Sequence, residues 1–124
     1  MREIILFRGK TFCDGDWVYG GITWNPSRKK FFIHTDWEEA KVIPETVGQY
    51  TGLCDKNGTK IFEGDILHAT LGNFVVRWSE SICSFVAGEK ERMRPCMNSG
   101  TMNCYEVIGN IYDNPELTKE AEKI

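Results

Sequence analysis

Residues 55–70 read DKNGTKIFEGDILHAT, and two tight turns within this stretch decide the fold. Asn57-Gly58 is a strong hairpin-turn signal, because both central positions tolerate positive φ. Glu63-Gly64-Asp65 has the composition of a second turn, so the strand between the turns, Thr59–Phe62, is only four residues long. The next strand begins at Ile66. Short strands joined by tight turns are typical of a small β-barrel or β-sandwich.

The same pattern continues from this stretch towards both ends of the chain. Further short strands are predicted at Glu3–Arg8, Trp17–Trp24, Lys30–His34, Phe74–Trp78, Ser84–Ala87 and Tyr105–Tyr112. Gly20-Gly21 interrupts the second of these strands, which predicts a bulge or a sharp bend. Asp36–Ala40 is predicted as a single helical turn, capped by Asp36 or Thr35. We therefore predict a mainly β protein.

Two regions near the C-terminus depart from this pattern. Residues 88–103 are charged first and then lose all periodicity, so we interpret them as a loop insertion, or a partly mobile hairpin, within one domain spanning 1–124. Asn114 and Pro115 are the residue types of a helix cap and a first helical position. They predict a short C-terminal helix.

The charge balance and the cysteine content limit the function classes. The formal net charge is −3, from 15 basic and 18 acidic residues, whereas a general nucleic-acid binder usually has a basic excess. The five cysteines are odd in number and include no Cys-x-x-Cys pair, and the two histidines are far apart in sequence. This pattern favours reduced thiols over a disulfide framework or a zinc site, so we predict no metal.

The chain shows no motif for targeting, membrane insertion or catalysis. The apolar run Ile4–Phe7 is too short for a signal peptide or a membrane span, so we expect a cytoplasmic protein without membrane contact. There is no Gly-x-Ser-x-Gly elbow and no phosphate-cradling glycine loop. Glu63 and Asp65 flank a glycine turn, where acids are usually solvated. We predict no enzyme activity, no catalytic residue and no cofactor.

Two features are candidates for partner binding. The segment Gly48–Gly52 has no period and is read as a loop that either displays Gln49, Tyr50 and Thr51 to a partner or uses Tyr50 to plug the end of a barrel. The strand aromatics either fill the interior or form a platform for peptides or single-stranded bases. The residues of that platform are Trp17, Tyr19, Trp78 and Phe85, with Arg77 and the basic cluster Arg28–Lys30 as charged neighbours.

Four phrases of the chain occur in a distinctive order. They are FRGK at residues 7–10, IPETVGQYTGL at 43–53, DKNGTKIFEGDI at 55–66 and YEVIGNIYDNPEL at 105–117. Their order and wording resemble the YopX family of phage and prophage proteins. The stretches 24–41 and 88–103 fall outside the resemblance. It implies a small SH3-like barrel or roll of short antiparallel strands with no established activity. The family offers no catalytic residues that might be carried over to this chain.

These observations leave three function hypotheses. The first is a non-catalytic phage or prophage accessory protein in the cytoplasm of the bacterial host, binding an unknown protein partner or its own copies as a homo-oligomer. The alternative is a single-stranded nucleic-acid-binding β-barrel, which the acidic balance disfavours. The third is a small enzyme, for which no catalytic constellation is visible in the sequence.

Overall fold

The computed structural model describes residues 6–69, 72–88, 91–92, 101–102 and 105–117. The protein is mainly β, which confirms the prediction from the turn pattern. The chain falls into two compact units that divide between Tyr50 and Thr51. The strands of the described residues form two sheets, and no closed barrel or α-helix is found among them. The assignment of one domain over 1–124 stays a prediction.

The first unit is an antiparallel meander of four strands. They are β1 (Phe7–Lys10), β2 (Trp17–Asn25), β3 (Lys30–His34) and β4 (Glu39–Lys41). A 3₁₀ turn at Pro44–Thr46 leads into β5 (Gly48–Asp55), whose first two residues pair with Arg8 and Phe7 of β1. The segment read as a loop at Gly48–Gly52 is therefore strand, and that prediction is wrong. Buried Gly48 and Tyr50 alternate with half-buried Gln49 and Thr51, and the glycines at 48 and 52 hid this alternation in the sequence.

The meander curls so that the end of β1 meets the end of β4. An isolated antiparallel bridge joins Thr11 to Val42. On either side of it, Phe12 N–H donates to Lys41 O at 3.2 Å and Ile43 N–H donates to Lys10 O at 2.9 Å. The fully buried side chains of Ile33 and Val42 belong to the core of this unit.

The glycine pair in β2 marks a change of partner strand. Gly20 ends the pairing with β1, opposite Phe7, and Gly21 begins the pairing with β3, opposite His34. A Cβ on Gly20 would lie only 2.0 Å from the carbonyl oxygen of His34. Strand β2 is continuous through this point. Gly20 therefore permits a close approach of two backbones and not the bulge that the sequence suggested.

The predicted helical turn at Asp36–Ala40 is wrong. Thr35 N–H donates to Glu38 O at 2.8 Å, which closes a tight turn between β3 and β4. The Thr35 hydroxyl oxygen accepts hydrogen bonds from the backbone N–H groups of Trp37 and Glu38. A threonine that caps a helix makes the same contacts, which is why the sequence signal was ambiguous.

The described residues of the second unit contain the rest of β5 and seven further strands. They are β6 (Lys60–Phe62), β7 (Asp65–Ala69), β8 (Gly72–Ser79), β9 (Ser84–Ala87), β10 (Glu91–Arg92), β11 (Thr101–Met102) and β12 (Glu106–Asn110). Five of them form an antiparallel sheet in the order β10-β9-β8-β7-β12, while β6 and β11 pair with β5. The core cluster of the second unit contains Ile61, Leu67, Val76 and Ala87.

The turn that decides the fold is held by a buried carboxylate. Oδ1 of Asp55 accepts the backbone N–H groups of Asn57 and Thr59, both at 2.9 Å, and Gly58 has a φ of 84°. Oδ2 of the same residue accepts Val107 N–H at 2.9 Å. The Asn-Gly hairpin turn is thereby confirmed, and its carboxylate also reaches β12.

Two predictions near the C-terminus lie partly outside the described residues. Strands β10 and β11 fall within the predicted insertion 88–103, and residues 89–90 and 93–100 are outside the description. Pro115–Leu117 form a 3₁₀ turn where the C-terminal helix was predicted to begin. The remainder of that predicted helix is likewise outside the described part of the chain.

Candidate functional site

Among the described residues of the first unit, the most exposed large apolar side chain is that of Trp37, at the tip of the β3–β4 hairpin. Its exposed fraction is 93%. Three hydrogen bonds of the Thr35 hydroxyl hold the tip, residues 35–38. The hydroxyl oxygen accepts from the backbone N–H groups of Trp37 and Glu38, and the hydroxyl donates to Glu38 O at 3.2 Å. The turn therefore presents an indole to solvent on an ordered backbone.

Beside this tip, cations lie over aromatic rings on one face of the meander. Residues directly opposite each other in antiparallel strands share a face, which puts Phe32 and Lys41 together. The Arg28 guanidinium lies 4.7 Å from the centre of the buried Phe32 ring, and Lys41 Nζ lies 4.4 Å from that of Phe12. Such stacking is a favourable electrostatic contact and orders long side chains at a surface.

These residues surround a concave pocket of about 380 Å³ that lies wholly within the first unit. That volume is at the lower end of the range for small-ligand sites. The pocket is lined by acidic, basic and aromatic side chains, including those of Asp14, Arg28, Phe32, Glu38, Glu39 and Lys41. The pocket therefore offers hydrogen-bond acceptors, cations and apolar surface together.

Asp14 is a carboxylate of the pocket that accepts two hydrogen bonds. The Thr11 hydroxyl donates to its Oδ1, and Asp16 N–H donates to the same oxygen at 3.1 Å. These two donors, the hydroxyl first, hold the pKa of Asp14 below its ordinary value. The group is therefore a carboxylate acceptor at neutral pH.

A histidine, a hydroxyl and a carboxylate meet next to the pocket, but not as a proton relay. The Thr23 hydroxyl oxygen is 2.7 Å from His34 Nε2, and Glu39 Oε2 is 3.7 Å from the same nitrogen. In a catalytic triad the nucleophile and the orienting acid contact opposite nitrogens of the imidazole. Here both approach one nitrogen, so Glu39 cannot fix the tautomer that would activate Thr23.

The described residues show neither a metal cluster nor a membrane helix. No group of three histidines, cysteines or acids among them is arranged to hold a metal ion. Cys13 and Cys83 are free thiols, Cys54 is half-buried, and Cys96 and Cys104 lie outside the description. The described part of the chain has no helix with the length and apolarity that a membrane crossing requires.

Comparison with known families supplies the identification. A family model described as YopX protein matches residues 15–119. The chain belongs to the YopX family. No curated protein matches the chain. In this YopX protein the family match covers Arg28 to Lys41 of the pocket, whereas Thr11, Cys13 and Asp14 precede it.

Four of the predicted partner-binding residues of this YopX protein lie in its first unit. Tyr50 is buried, as expected if it fills the interior, and its N–H donates to Leu6 O at 2.8 Å. Gln49 is half-buried in β5 opposite Phe7. Trp17 is half-buried, and Tyr19, two residues along the same face of β2, is 48% exposed. The predicted display of Gln49 and Tyr50 on a loop does not occur.

The other three lie in the second unit of the YopX protein. Thr51 is half-buried, and its hydroxyl donates to Ile61 O at 2.8 Å. Arg77 is exposed, and its Nε–H donates to Gly88 O at 2.7 Å. Trp78 is 46% exposed and packs edge-on against Phe85 with ring centres 5.0 Å apart. This pair is a partly exposed aromatic surface in its own unit.

Sequence reasoning missed the hairpin tip and the pocket of this YopX protein. The pocket joins residues 11–14, Arg28 and 38–41, which become neighbours only through the pairing of β3 with β4 and the Thr11–Val42 bridge. One signal was available. The Thr35-Asp36-Trp37-Glu38 segment sets a tryptophan between acids next to a turn, and such a residue has little chance of burial.

Proposed function

We propose that this protein is a non-catalytic phage or prophage accessory protein that binds another protein through its first unit. The observation that carries the proposal is the exposure of Trp37 on an ordered turn beside the pocket. Tryptophan and arginine are enriched among the residues that dominate the binding energy of protein interfaces. An ordered backbone also lowers the entropy lost on binding. The tip and the pocket thus have the composition of an interface.

The non-catalytic part of the proposal is supported by the geometry around His34. Thr23 and Glu39 contact the same imidazole nitrogen, which does not suit nucleophile activation. The binding role requires no cofactor. Membership of the YopX family supports a phage-type protein of uncharacterised function. We further propose that it works in the cytoplasm of the bacterial host.

The finer fold assignment is part of the same proposal. The curled meander and the bridge between Thr11 and Val42 support an SH3-like roll with a short C-terminal helix beginning at Pro115. A crystal structure with residues 118–124 ordered as coil, or with an open flat meander in the first unit, would contradict this assignment.

The binding role is tested by affinity purification with matched variants. Tagged wild-type, Trp37→Ala and Trp78→Ala chains are purified after cross-linking from bacteria that encode the protein, and the retained proteins are quantified by mass spectrometry. We expect one retained protein, either another gene product or a second copy, to fall at least about tenfold with Trp37→Ala alone. A strict monomer in sedimentation, together with no enriched protein, overturns the proposal.

A second candidate function is binding of single-stranded nucleic acid. It is favoured by Arg8 and Lys10, whose charged groups lie 4.6 Å and 5.5 Å from the centre of the Trp17 ring, with Tyr19 exposed on the same face. Interleaved cations and aromatics are typical of single-strand binders. The net charge of −3 opposes it. Fluorescence titration with mixed oligonucleotides at low salt tests it, and an unchanged signal discards it.

A further inference from the structure

We propose that the pocket of the first unit binds the Trp37 indole of a second copy of this chain, so that two copies exchange their hairpin tips. The inference rests on the proposed function and names its partner. One copy supplies the indole, which is 93% exposed, and the other supplies the pocket of about 380 Å³.

The chemistry of the pocket matches that of an indole. The faces of an indole ring attract cations, and Arg28 and Lys41 lie at the pocket with their charged groups already over aromatic rings. The indole N–H is a donor that needs an acceptor once it is buried. Asp14 supplies one, because its hydrogen bonds hold the pKa of this carboxyl low and keep it ionised at neutral pH.

The position of the pocket allows the exchange to be reciprocal. Glu38, the residue next to Trp37, itself lines the pocket, so indole and pocket are adjacent on one copy. A twofold axis between them brings each ring to the pocket of the other copy. Such an isologous contact is closed and produces dimers, whereas a one-way contact would continue into chains.

The expected dimer is weak. A tryptophan side chain buries about 150–250 Å² of surface, so the two exchanged side chains alone bury roughly 300–500 Å². Stable complexes bury about 1,200 Å² or more. We therefore expect an equilibrium that depends on concentration and in which the monomer dominates at low concentration.

Sedimentation velocity of the purified full chain tests the inference. Wild type is measured from about 1 µM to about 1 mM, the range of weak association. We expect its average mass to rise towards that of a dimer. Trp37→Ala should weaken association at least about tenfold, and Trp24→Ala, the same change at a 50% exposed tryptophan that does not line the pocket, should leave it unchanged. Circular dichroism confirms that each variant is folded.

A mixing experiment separates the two halves of the contact. Trp37→Ala keeps the pocket, whereas Arg28→Ala/Lys41→Ala keeps the indole and loses the pocket cations. Each variant alone should remain monomeric over the range in which wild type associates. Their mixture retains one of the two contacts and should contain more dimer than either variant alone. Lys30→Ala, an exposed basic residue that does not line the pocket, is the matched control and should behave as wild type.

Three results would overturn the inference. They are a wild type that stays monomeric at about 1 mM, an equal effect of Trp37→Ala and Trp24→Ala, and a mixture no more associated than its components. A monomeric wild type that still retains a different protein in the purification overturns this inference and leaves the proposed function standing. A monomer that retains nothing overturns both.

Discussion

The carboxylate of Asp55 accepts a hydrogen bond from the backbone N–H of Val107, 2.9 Å away and 52 residues later in the chain. Asp55 is only 1% exposed, and its other oxygen holds the N–H groups of Asn57 and Thr59. Burial acts to raise the pKa of Asp55, and the donors at Val107, Thr59 and Asn57 outweigh it, so the pKa lies below its ordinary value. One side chain thus ties a turn to a distant strand.

Removal of this side chain should be costly for stability. Asp55→Ala leaves three backbone donors without their acceptor, and we expect a loss of about 2–4 kcal/mol in the free energy of unfolding at pH 7. Urea unfolding followed by circular dichroism measures it. Glu80→Ala removes an exposed acid in the same unit and should change the free energy by less than about 0.5 kcal/mol. A loss below about 1 kcal/mol for Asp55→Ala would contradict this role.

The same carboxylate should make stability depend on pH. A carboxyl group whose pKa is lowered in the folded state stabilises the fold above its unfolded pKa of about 3.9 and loses this contribution as the pH falls through the folded pKa. Asp55→Asn should therefore be less stable than wild type at pH 7, by about 1–3 kcal/mol. The difference should shrink as the pH falls from about 5 to below 3. A constant difference over this range would show that the charge is not responsible.

The glycine pair of β2 provides a matched test of the sheet. A Cβ on Gly20 would meet the carbonyl of His34 at 2.0 Å, whereas a Cβ on Gly21 meets nothing within 4 Å. Gly20→Ala should therefore separate β2 from β3 and cost about 3 kcal/mol or prevent folding. Gly21→Ala should stay within about 1 kcal/mol of wild type. Thermal unfolding measures the stabilities of the two variants, and equal stabilities would contradict the close approach of the Gly20 and His34 backbones.

Thr35 should control the order of the hairpin tip. Thr35→Ala removes the hydroxyl acceptor of the Trp37 and Glu38 N–H groups, at a cost of about 1 kcal/mol, while Thr35→Ser keeps it. Amide hydrogen exchange at Glu38 should be roughly fivefold faster in Thr35→Ala than in Thr35→Ser. Equal exchange in the two variants would show that the hydroxyl does not hold the turn.

The sequence predicted those elements whose cause is local. Asn57-Gly58 specifies a hairpin by its own backbone preferences. Strands β3 and β9 occupy the predicted ranges Lys30–His34 and Ser84–Ala87, because a short apolar run between turn residues is typical of a strand. Strand β5 was missed because the buried face of its first residues consists of Gly48 and Tyr50, and a glycine gives no apolar side chain by which to recognise the alternation. Local composition there is that of a loop.

The candidate site was harder to predict than the fold. Thr35 carries a signal shared by helix caps and tight turns, and the choice between them depends on β4 pairing with β3. The pocket depends in addition on the bridge between Thr11 and Val42. One of the two interpretations of Tyr50 from the sequence placed its ring in the interior, and Tyr50 is buried. A large aromatic ring covers so much apolar area that a small β protein usually buries it.

The contact between Asp55 and Val107 also has a meaning for behaviour in concentrated solution. Strand β12 ends the order of its sheet, and a last strand presents unsatisfied backbone groups on which a foreign chain can grow. At this edge of the sheet, the Asp55 carboxylate accepts a hydrogen bond from Val107 N–H, and Lys56 N–H donates to the Tyr105 carbonyl oxygen. We therefore expect acid that protonates this carboxylate to weaken its contact with Val107 N–H and to leave one backbone donor at the edge of the sheet less protected.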